Sequence, residues 1–222
     1  MDRFIVLVAG GQGTRMKASL PKQFLLMNDQ PVILHTVKCF QNCNAELVVV
    51  LDKNYHSRWK NICREYNFTI PHLLVEGGNT RAESVLNGLK KIQTNSLVAV
   101  HDAVRPIVSS ELIEKLFNDA AEFGNAVPVI DIKESMREMK GDKNVAVDRS
   151  KFRLVQTPQC FITGELLKAF SHPQWNSFTD EASLFEQNGN QIHLTEGEHS
   201  NIKITYPEDL VVALTLLSNK NK

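Results

Sequence analysis

Phe4-Ile5-Val6-Leu7-Val8-Ala9-Gly10-Gly11-Gln12-Gly13-Thr14-Arg15-Met16, continued by Pro21-Lys22-Gln23, is the stretch that decides how this chain folds. Phe4 to Val8 is a continuous apolar run, the composition of a strand covered on both faces in a parallel sheet. Gly10, Gly11 and Gly13 follow, and they let backbone N–H groups approach a ligand with no Cβ in the way. Amides turned toward one point, with cations close by, are what a polyphosphate needs. Arg15 and Lys22 supply those cations. Neither of the two commonest phosphate loops fits. A P-loop ends in Gly-Lys-Ser/Thr, whereas Gly13 is followed by Thr14-Arg15. A dinucleotide fingerprint starting at Gly11 needs a third glycine where Met16 stands. The loop therefore reads as nucleotide chemistry at phosphorus, and an NAD-dependent oxidoreductase is the weakest alternative.

The same alternation continues along the chain. Leu47 to Leu51, Leu97 to Val100 and Ala126 to Val129 are further β-branched-rich runs. Helix-period faces accompany them: Ile33, Leu34, Val37 and Phe40; Val85, Leu86, Leu89 and Ile92; Leu112, Ile113, Leu116 and Phe117. This pattern predicts an α/β fold, a Rossmann-like three-layer arrangement around a mostly parallel sheet. Thr205-Tyr206-Pro207-Glu208 reads as a capping box opening a last helix through Leu210, Val211, Leu214 and Leu217. Lys133 to Arg149 breaks the alternation. Met136 and Met139, then Val145 and Val147, flank the turn Lys140-Gly141-Asp142-Lys143 and predict an inserted β-hairpin arm, with a solvated surface loop as the alternative. No repeat or low-complexity linker interrupts the chain, so a single domain over residues 1–222 is expected, with the arm at about 133–149.

Composition narrows the classes of function. The chain has 222 residues, 42% of them hydrophobic, which is enough to bury an ordinary core. It carries 25 basic and 25 acidic side chains, and the lack of a basic excess argues against a nucleic-acid partner. Met1-Asp2-Arg3 leads straight into an apolar run too short for a signal-peptide h-region. No stretch approaches the ~20 apolar residues of a membrane span, so neither secretion nor a membrane partner is expected. Cys39, Cys43, Cys63 and Cys160 show no disulfide-framework spacing, which suits a reducing cytoplasm.

Ligands of open α/β sheets bind beyond the carboxyl ends of the strands, so the residues there are the candidates. In His101-Asp102-Ala103-Val104-Arg105-Pro106 a carboxylate and a guanidinium share one rim. Asp102 can hold a ribose hydroxyl or help bind a divalent metal, and Arg105 can fork onto a phosphate; alternatively the two pair with each other. Gly77-Gly78-Asn79-Thr80-Arg81-Ala82-Glu83-Ser84 is a second glycine turn entering a helix, with Thr80 or Asn79 as N-cap. Ser84 can reach a base or sugar from there, or be an ordinary helix residue. In Phe178-Thr179-Asp180-Glu181-Ala182, Thr179 as N-cap and two first-turn acids are explained by helix-start chemistry. Asn201 to Thr205 predicts a short strand with Lys203 facing solvent. His35, Cys39 and Cys43 recur at helical spacing, but no Cys-x-x-Cys completes a zinc site, and core or surface positions are the simpler reading. There is no Gly-x-Ser-x-Gly and no support for a hydrolytic triad.

Taken in order, LVAGGQGTRM, PKQF, EGGNTRAESVLNGL, HDAVRP, TPQCF, FTDEA and SNIKITYPEDL resemble the 2-C-methyl-D-erythritol 4-phosphate cytidylyltransferase family of the non-mevalonate isoprenoid pathway, from Val6 to about Leu210. The resemblance implies that Ala9, Gly10 and Gly11 contact the cytosine and ribose side of CTP. It makes Arg15 and Lys22 the pair that stabilises the transition state, with Lys203 as a further catalytic cation. Gly78 and Ser84 correspond to the nucleobase-recognising turn and helix, and Asp102 with Ala103 to the ribose and metal region. Arg105, Thr179, Lys203 and Arg149 correspond to positions near the phosphorylated sugar alcohol, as does Ser135, where relatives carry Thr. Ser200 stands where the family often has Asp. A divalent cation, Mg²⁺ or another, and a homodimer whose arm reaches the neighbouring active site are also implied.

The implied reaction suits the residues. A phosphate monoester is largely dianionic at neutral pH, with a second pKa of about 6, so it attacks the α-phosphorus of CTP without a general base. What it needs is cations, because two polyanions must meet. Ribitol 5-phosphate cytidylyltransferase shares the glycine loop and PKQF and is the nearest alternative, although FTDEA and RAESVLNGL favour the methylerythritol enzyme. A catalytically silent nucleotide-binding module is the other; the intact Arg15, Lys22 and Lys203 argue against it.

Overall fold

The structure, a computed structural model, describes residues 1–10 and 20–220. The opening apolar run forms β1 (Asp2–Val8). After it come a small ribbon, β2 (Leu26–Met27) and β3 (Gln30–Pro31), then α1 (Val32–Lys38), β4 (Glu46–Leu51), α2 (His56–Glu65), β5 (His72–Glu76), α3 (Arg81–Leu89) and β6 (Ser96–Asp102). The second half holds α4 (Ser110–Phe123), β7 (Asn125–Asp131), β8 (Met136–Lys140), β9 (Lys143–Val147), β10 (Arg153–Val155), β11 (Gln159–Ile162), α5 (Thr163–Ala169), α6 (Glu181–Gln187), β12 (Leu194–Glu196) and α7 (Pro207–Lys220).

The main sheet runs β10-β7-β11-β6-β1-β4-β5, with β12 parallel to β7. Strands β6, β1, β4 and β5 are mutually parallel, and β11 runs antiparallel between β6 and β7. The expected Rossmann-like, mostly parallel architecture is therefore present, and β1 sits near its centre.

Side-chain alternation along β1 builds the three layers. Ile5, Leu7 and Ala9 face a cluster with Ile33, Leu34 and Val37 of α1, Trp59 and Ile62 of α2, and Ile113, Leu116 and Phe117 of α4. Phe4, Val6 and Val8 face the other, with Val85 and Leu89 of α3, Leu166 of α5 and Phe185 of α6. A strand with helices on both sides has no polar face, which is why Phe4 to Val8 reads as an unbroken apolar run. Burying each large aliphatic side chain contributes on the order of 1.5–3 kcal/mol. Helix α3 lies close to the sheet because Gly88 has no Cβ; one placed there would come 2.7 Å from Val6 Cγ1 and 2.9 Å from Val50 Cγ2.

Local signals fix the helix ends. Thr80, not Asn79, caps α3 by accepting from Glu83 N–H. Ser109 caps α4, and Gly124 at φ 85° ends it. Two expected caps are displaced by a residue. Asp180 rather than Thr179 caps α6, accepting from Ser183 N–H at 3.1 Å. In α7 the carboxylate reaching back belongs to Asp209, which accepts from Thr205 and Tyr206 N–H at 2.7 and 2.8 Å, so the box predicted at Thr205 and Glu208 is shifted. The strand expected at Asn201 to Thr205 is absent: this segment is a loop whose backbone groups bond to side chains and to Val104.

The arm is a hairpin, as expected. Strands β8 and β9 pair from Met136↔Val147 to Lys140↔Lys143, closing over Gly141 at φ 63°. They form their own two-stranded sheet, separate from the main one.

Candidate active site

The carboxyl ends of β1, β4 and β6 meet at one rim. Ala9 N–H donates to Val50 O at 2.9 Å, Gly77 N–H to Leu51 O at 2.9 Å, and Ala103 N–H to Val8 O at 3.0 Å. Gln23 Nε2 donates to Ala9 O at 2.6 Å, tying the segment after the first glycine turn back to its start. Ser84, fully buried, joins the two glycine turns. Its hydroxyl accepts from Gly78 N–H at 3.0 Å and donates to Thr80 O at 2.9 Å. A Cβ at either Gly10 or Gly77 would stand 3.2 Å from Ser84 Oγ, so both turns come close only because both positions are glycine. Gly11 and Arg15 lie outside the described residues.

At the end of β6, Asp102 is surrounded by cations. Its Oδ2 lies 2.8 Å from Lys203 Nζ and 3.5 Å from Arg105 Nε, and its Oδ1 lies 3.4 Å from Arg81 Nε. Asp102 and Arg105 thus do pair, but within a larger cluster. Burial opposes the charge of Asp102, and the Arg81, Lys203 and Arg105 cations more than offset it, holding the carboxyl well below the usual carboxylate range. Arg81 in turn grips Glu181 with both terminal nitrogens, at 2.6 and 3.0 Å.

The loop after β12 gathers the other candidates. Lys22, in a short 3₁₀ turn at Lys22–Phe24, donates from Nζ to Ile204 O at 2.8 Å. Arg105 Nη1 donates to Asn201 O at 2.8 Å, and Ile204 N–H to Val104 O at 2.9 Å. Gln156 pins the same loop: it donates to Glu198 O at 2.7 Å and accepts from Glu198 N–H at 3.2 Å. Lys203 is thereby held 2.8 Å from Asp102 although no regular element carries it.

Behind the rim, His101 completes an ordered chain of hydrogen bonds. Arg105 O can only accept, so His101 Nε2–H donates to it at 3.1 Å; in the neutral ring Nδ1 then accepts from the Thr157 hydroxyl at 3.0 Å, and Thr157 Oγ1 accepts in turn from Asp102 N–H at 3.1 Å. Burial pushes the imidazole pKa down to about 4, in keeping with the neutral ring this pattern requires. Both ring nitrogens are engaged, so His101 braces the turn from Asp102 to Arg105.

The structure brings Ala9, Gly10, Gly78, Ser84, Asp102, Ala103, Arg105, Lys22 and Lys203 to one rim. Thr179 is exposed, next to the cap of α6. Ser135 and Arg149 are exposed at the two roots of the arm, where Arg149 donates to Lys133 O. Among the described residues no hydrogen bond or ion pair links these two to the Asp102 cluster. Arg81, Glu181, Thr157 and Gln156 are additions that residue patterns alone did not assign. Arg81 and Glu181 sit inside quoted motifs, but their meeting across 100 residues has no local signal.

The Ser84-linked turn at Gly77 and Gly78 and the cation-ringed Asp102 stand at one rim of a mostly parallel sheet, the place where such sheets take a nucleotide, and the chain's relatives make its class that of the nucleotidyltransferases. The family model described as "IspD: 2-C-methyl-D-erythritol 4-phosphate cytidylyltransferase" matches residues 4–219, and the chain belongs to that family. The 2-C-methyl-D-erythritol 4-phosphate cytidylyltransferase of Porphyromonas gingivalis is 44% identical over 218 residues, covering 98% of each chain. That of Bacteroides thetaiotaomicron is 40% identical over 219 residues, covering 98% of this chain and all of the relative. The crystal structure of the Thermus thermophilus enzyme of the same name superposes with a TM-score of 0.82 at 31% identity, over 98% of this chain and 100% of that one.

Proposed function

We propose that this chain joins CTP and 2-C-methyl-D-erythritol 4-phosphate. A phosphate oxygen of the acceptor attacks the α-phosphorus of CTP, the bond from that phosphorus to the β-phosphate bridge breaks, and pyrophosphate leaves. The observation that carries this reading is the convergence of Arg81, Arg105 and Lys203 on Asp102, with Lys22 fixed to the same loop as Lys203. Fixed cations aimed at phosphoryl oxygens are what this transfer demands. His101 is committed to structural hydrogen bonds, and an acceptor already dianionic needs no base. Lys22 and Lys203 are read as the catalytic cations of the described part, with Arg15 as their partner from the glycine turn. Ala9, Gly10, Gly11, Gly78, Ser84, Asp102 and Ala103 are read as the nucleotide side. Arg105, Thr179 and Lys203, with Ser135 and Arg149 of the arm, are read as the acceptor side.

A divalent cation, Mg²⁺ by its phosphate chemistry, is part of this proposal. Among the described residues no group of three or more His, Cys, Asp and Glu is arranged to hold a metal on its own. The donor set fits a cation that arrives on the triphosphate and takes one carboxylate, from Asp102, with phosphate oxygens and water completing its shell. Bound there, it would neutralise charge on the phosphates. We further propose a homodimer. A cytoplasmic setting is supported by the four free cysteines, and among the described residues no helix is long and apolar enough to cross a membrane.

The test is pyrophosphate release with CTP against UTP, ATP and GTP, using methylerythritol phosphate and ribitol 5-phosphate as acceptors. Release that requires CTP and methylerythritol phosphate is the expected result. Preference for ribitol 5-phosphate, or CTP binding with no release from either acceptor, would sink the reading.

A further inference from the structure

Glu181 is 2% exposed, and a carboxylate so buried is costly unless an opposite charge meets it. Its partner is Arg81, gripped through both terminal nitrogens at 2.6 and 3.0 Å in the fork geometry that suits a carboxylate best. The third nitrogen of the same guanidinium, Nε, faces Asp102 Oδ1 at 3.4 Å. One arginine at the start of α3 is thus held between a carboxylate from the start of α6 and another from the end of β6.

The contacts on Asp102 are unequal. Oδ2 is covered by Lys203 at 2.8 Å and by Arg105 at 3.5 Å, while Oδ1 carries the 3.4 Å contact from Arg81. Oδ1 is the more weakly held of the two oxygens, and it stays so while the stronger face of Arg81 is turned to Glu181. Without the Glu181 charge, the terminal nitrogens of Arg81 would turn to the nearest remaining anion, which is Asp102. Both oxygens of Asp102 would then be occupied by cations, in competition with a ribose hydroxyl or a nucleotide-borne metal ion. We propose that Glu181 is a positioning residue for nucleotide binding, acting through Arg81 to keep Asp102 oriented and open to the incoming ligand; this rests on the reading of Asp102 as part of the nucleotide side.

The competing role for Glu181 is structural, as an acidic residue in the first turn of α6. Calorimetric titration of CTP, with and without Mg²⁺ and with no acceptor, separates the two when run beside thermal melts. Glu181→Gln keeps the shape and removes the charge; its dissociation constant for CTP should rise at least fivefold. Arg81→Lys keeps a charge but cannot grip two carboxylates, and it should show a loss of similar size. The double variant should be no weaker than the weaker single, since both act through one contact. A lower melting temperature with unaltered CTP affinity overturns the proposal, and so do losses that multiply in the double variant. If Glu181→Gln does not fold, Arg81→Lys decides alone: unaltered CTP affinity overturns the proposal. A wild-type chain that binds no CTP would sink the proposed activity and this inference together, whereas tight wild-type binding shared by the variants removes only the role of Glu181.

Discussion

Lys22 is 8% exposed, and its ammonium donates to the backbone carbonyl of Ile204 at 2.8 Å. A cation held this way is set in place before the reaction begins, the condition under which fixed charge lowers a barrier most. Lys22→Ala should therefore lower kcat about a hundredfold or more, equivalent to ~2.7–4 kcal/mol, while weakening CTP binding far less. Steady-state kinetics at saturating substrates, compared with CTP titration, checks this; near wild-type kcat would remove Lys22 from the catalytic group. His101 makes a different prediction, about stability. Its pKa is about 4 in the fold against 6.5 for an ordinary histidine, so the unfolded chain binds more protons between those values. Stability contributed by the neutral ring is full above pH 6.5 and is lost as pH falls toward 4, on the order of 3 kcal/mol in all. Denaturant titrations at pH 7 and pH 4.5 should show a steeper loss for the wild type than for His101→Gln, and equal slopes would refute the assignment.

Among the elements, the loop after β12 gathers the most contacts of the candidate site and was least legible. Strands β1, β4, β6 and β7 could be read because burial on both faces forces an unbroken apolar run. Helix α2 was missed because its sequence is mostly polar, with only Trp59 and Ile62 buried. Strand β5 was missed at the sheet edge, where it alternates between exposed and half-buried residues before Val75. The segment carrying Lys203 looked like a strand because Ile202 and Ile204 flank the lysine, yet Ile204 packs beneath α7 and the backbone is held by Gln156 and Arg105. Candidate site residues were legible where glycine or charge stands at a strand end, as at Gly10, Gly78 and Asp102. Glu181 was not, because an acid that starts a helix has the same local sequence whether solvent or a buried arginine answers it. Gln156→Leu would leave the Glu198 amide and carbonyl without these partners, at about 1–3 kcal/mol for each buried group left unpaired. It should melt lower and also lose kcat, because Lys203 rides on the freed loop. Lower melting with unchanged kcat would show that the loop keeps Lys203 in place without Gln156.

On the scale of the whole molecule, the arm is the part that makes least sense in one chain. A two-stranded hairpin is at best marginally stable in water, and among the described residues β8 and β9 pair only with each other. Met139 is 68% exposed and Val145 41%, and the apolar surface continues into Phe152, Leu154 and Val155 of the segment that follows. A second copy related by a twofold axis would cover both arms at once, the self-complementary contact that the commonest oligomer symmetry provides. It would also protect the open strand edges from unwanted pairing. The roots of the arm hold Ser135 and Arg149, neither bonded to the Asp102 cluster of its own chain. That arrangement suits residues that serve the acceptor phosphate of the neighbouring site. Replacing Ser135 to Val147 by a short glycine linker should therefore give monomers by sedimentation and raise KM for the acceptor more than KM for CTP. Because the arm pairs with no strand of the main sheet, the melting of that sheet should change little. Should the shortened chain still sediment as a dimer with wild-type KM for the acceptor, both the interface and the shared site would have to lie elsewhere.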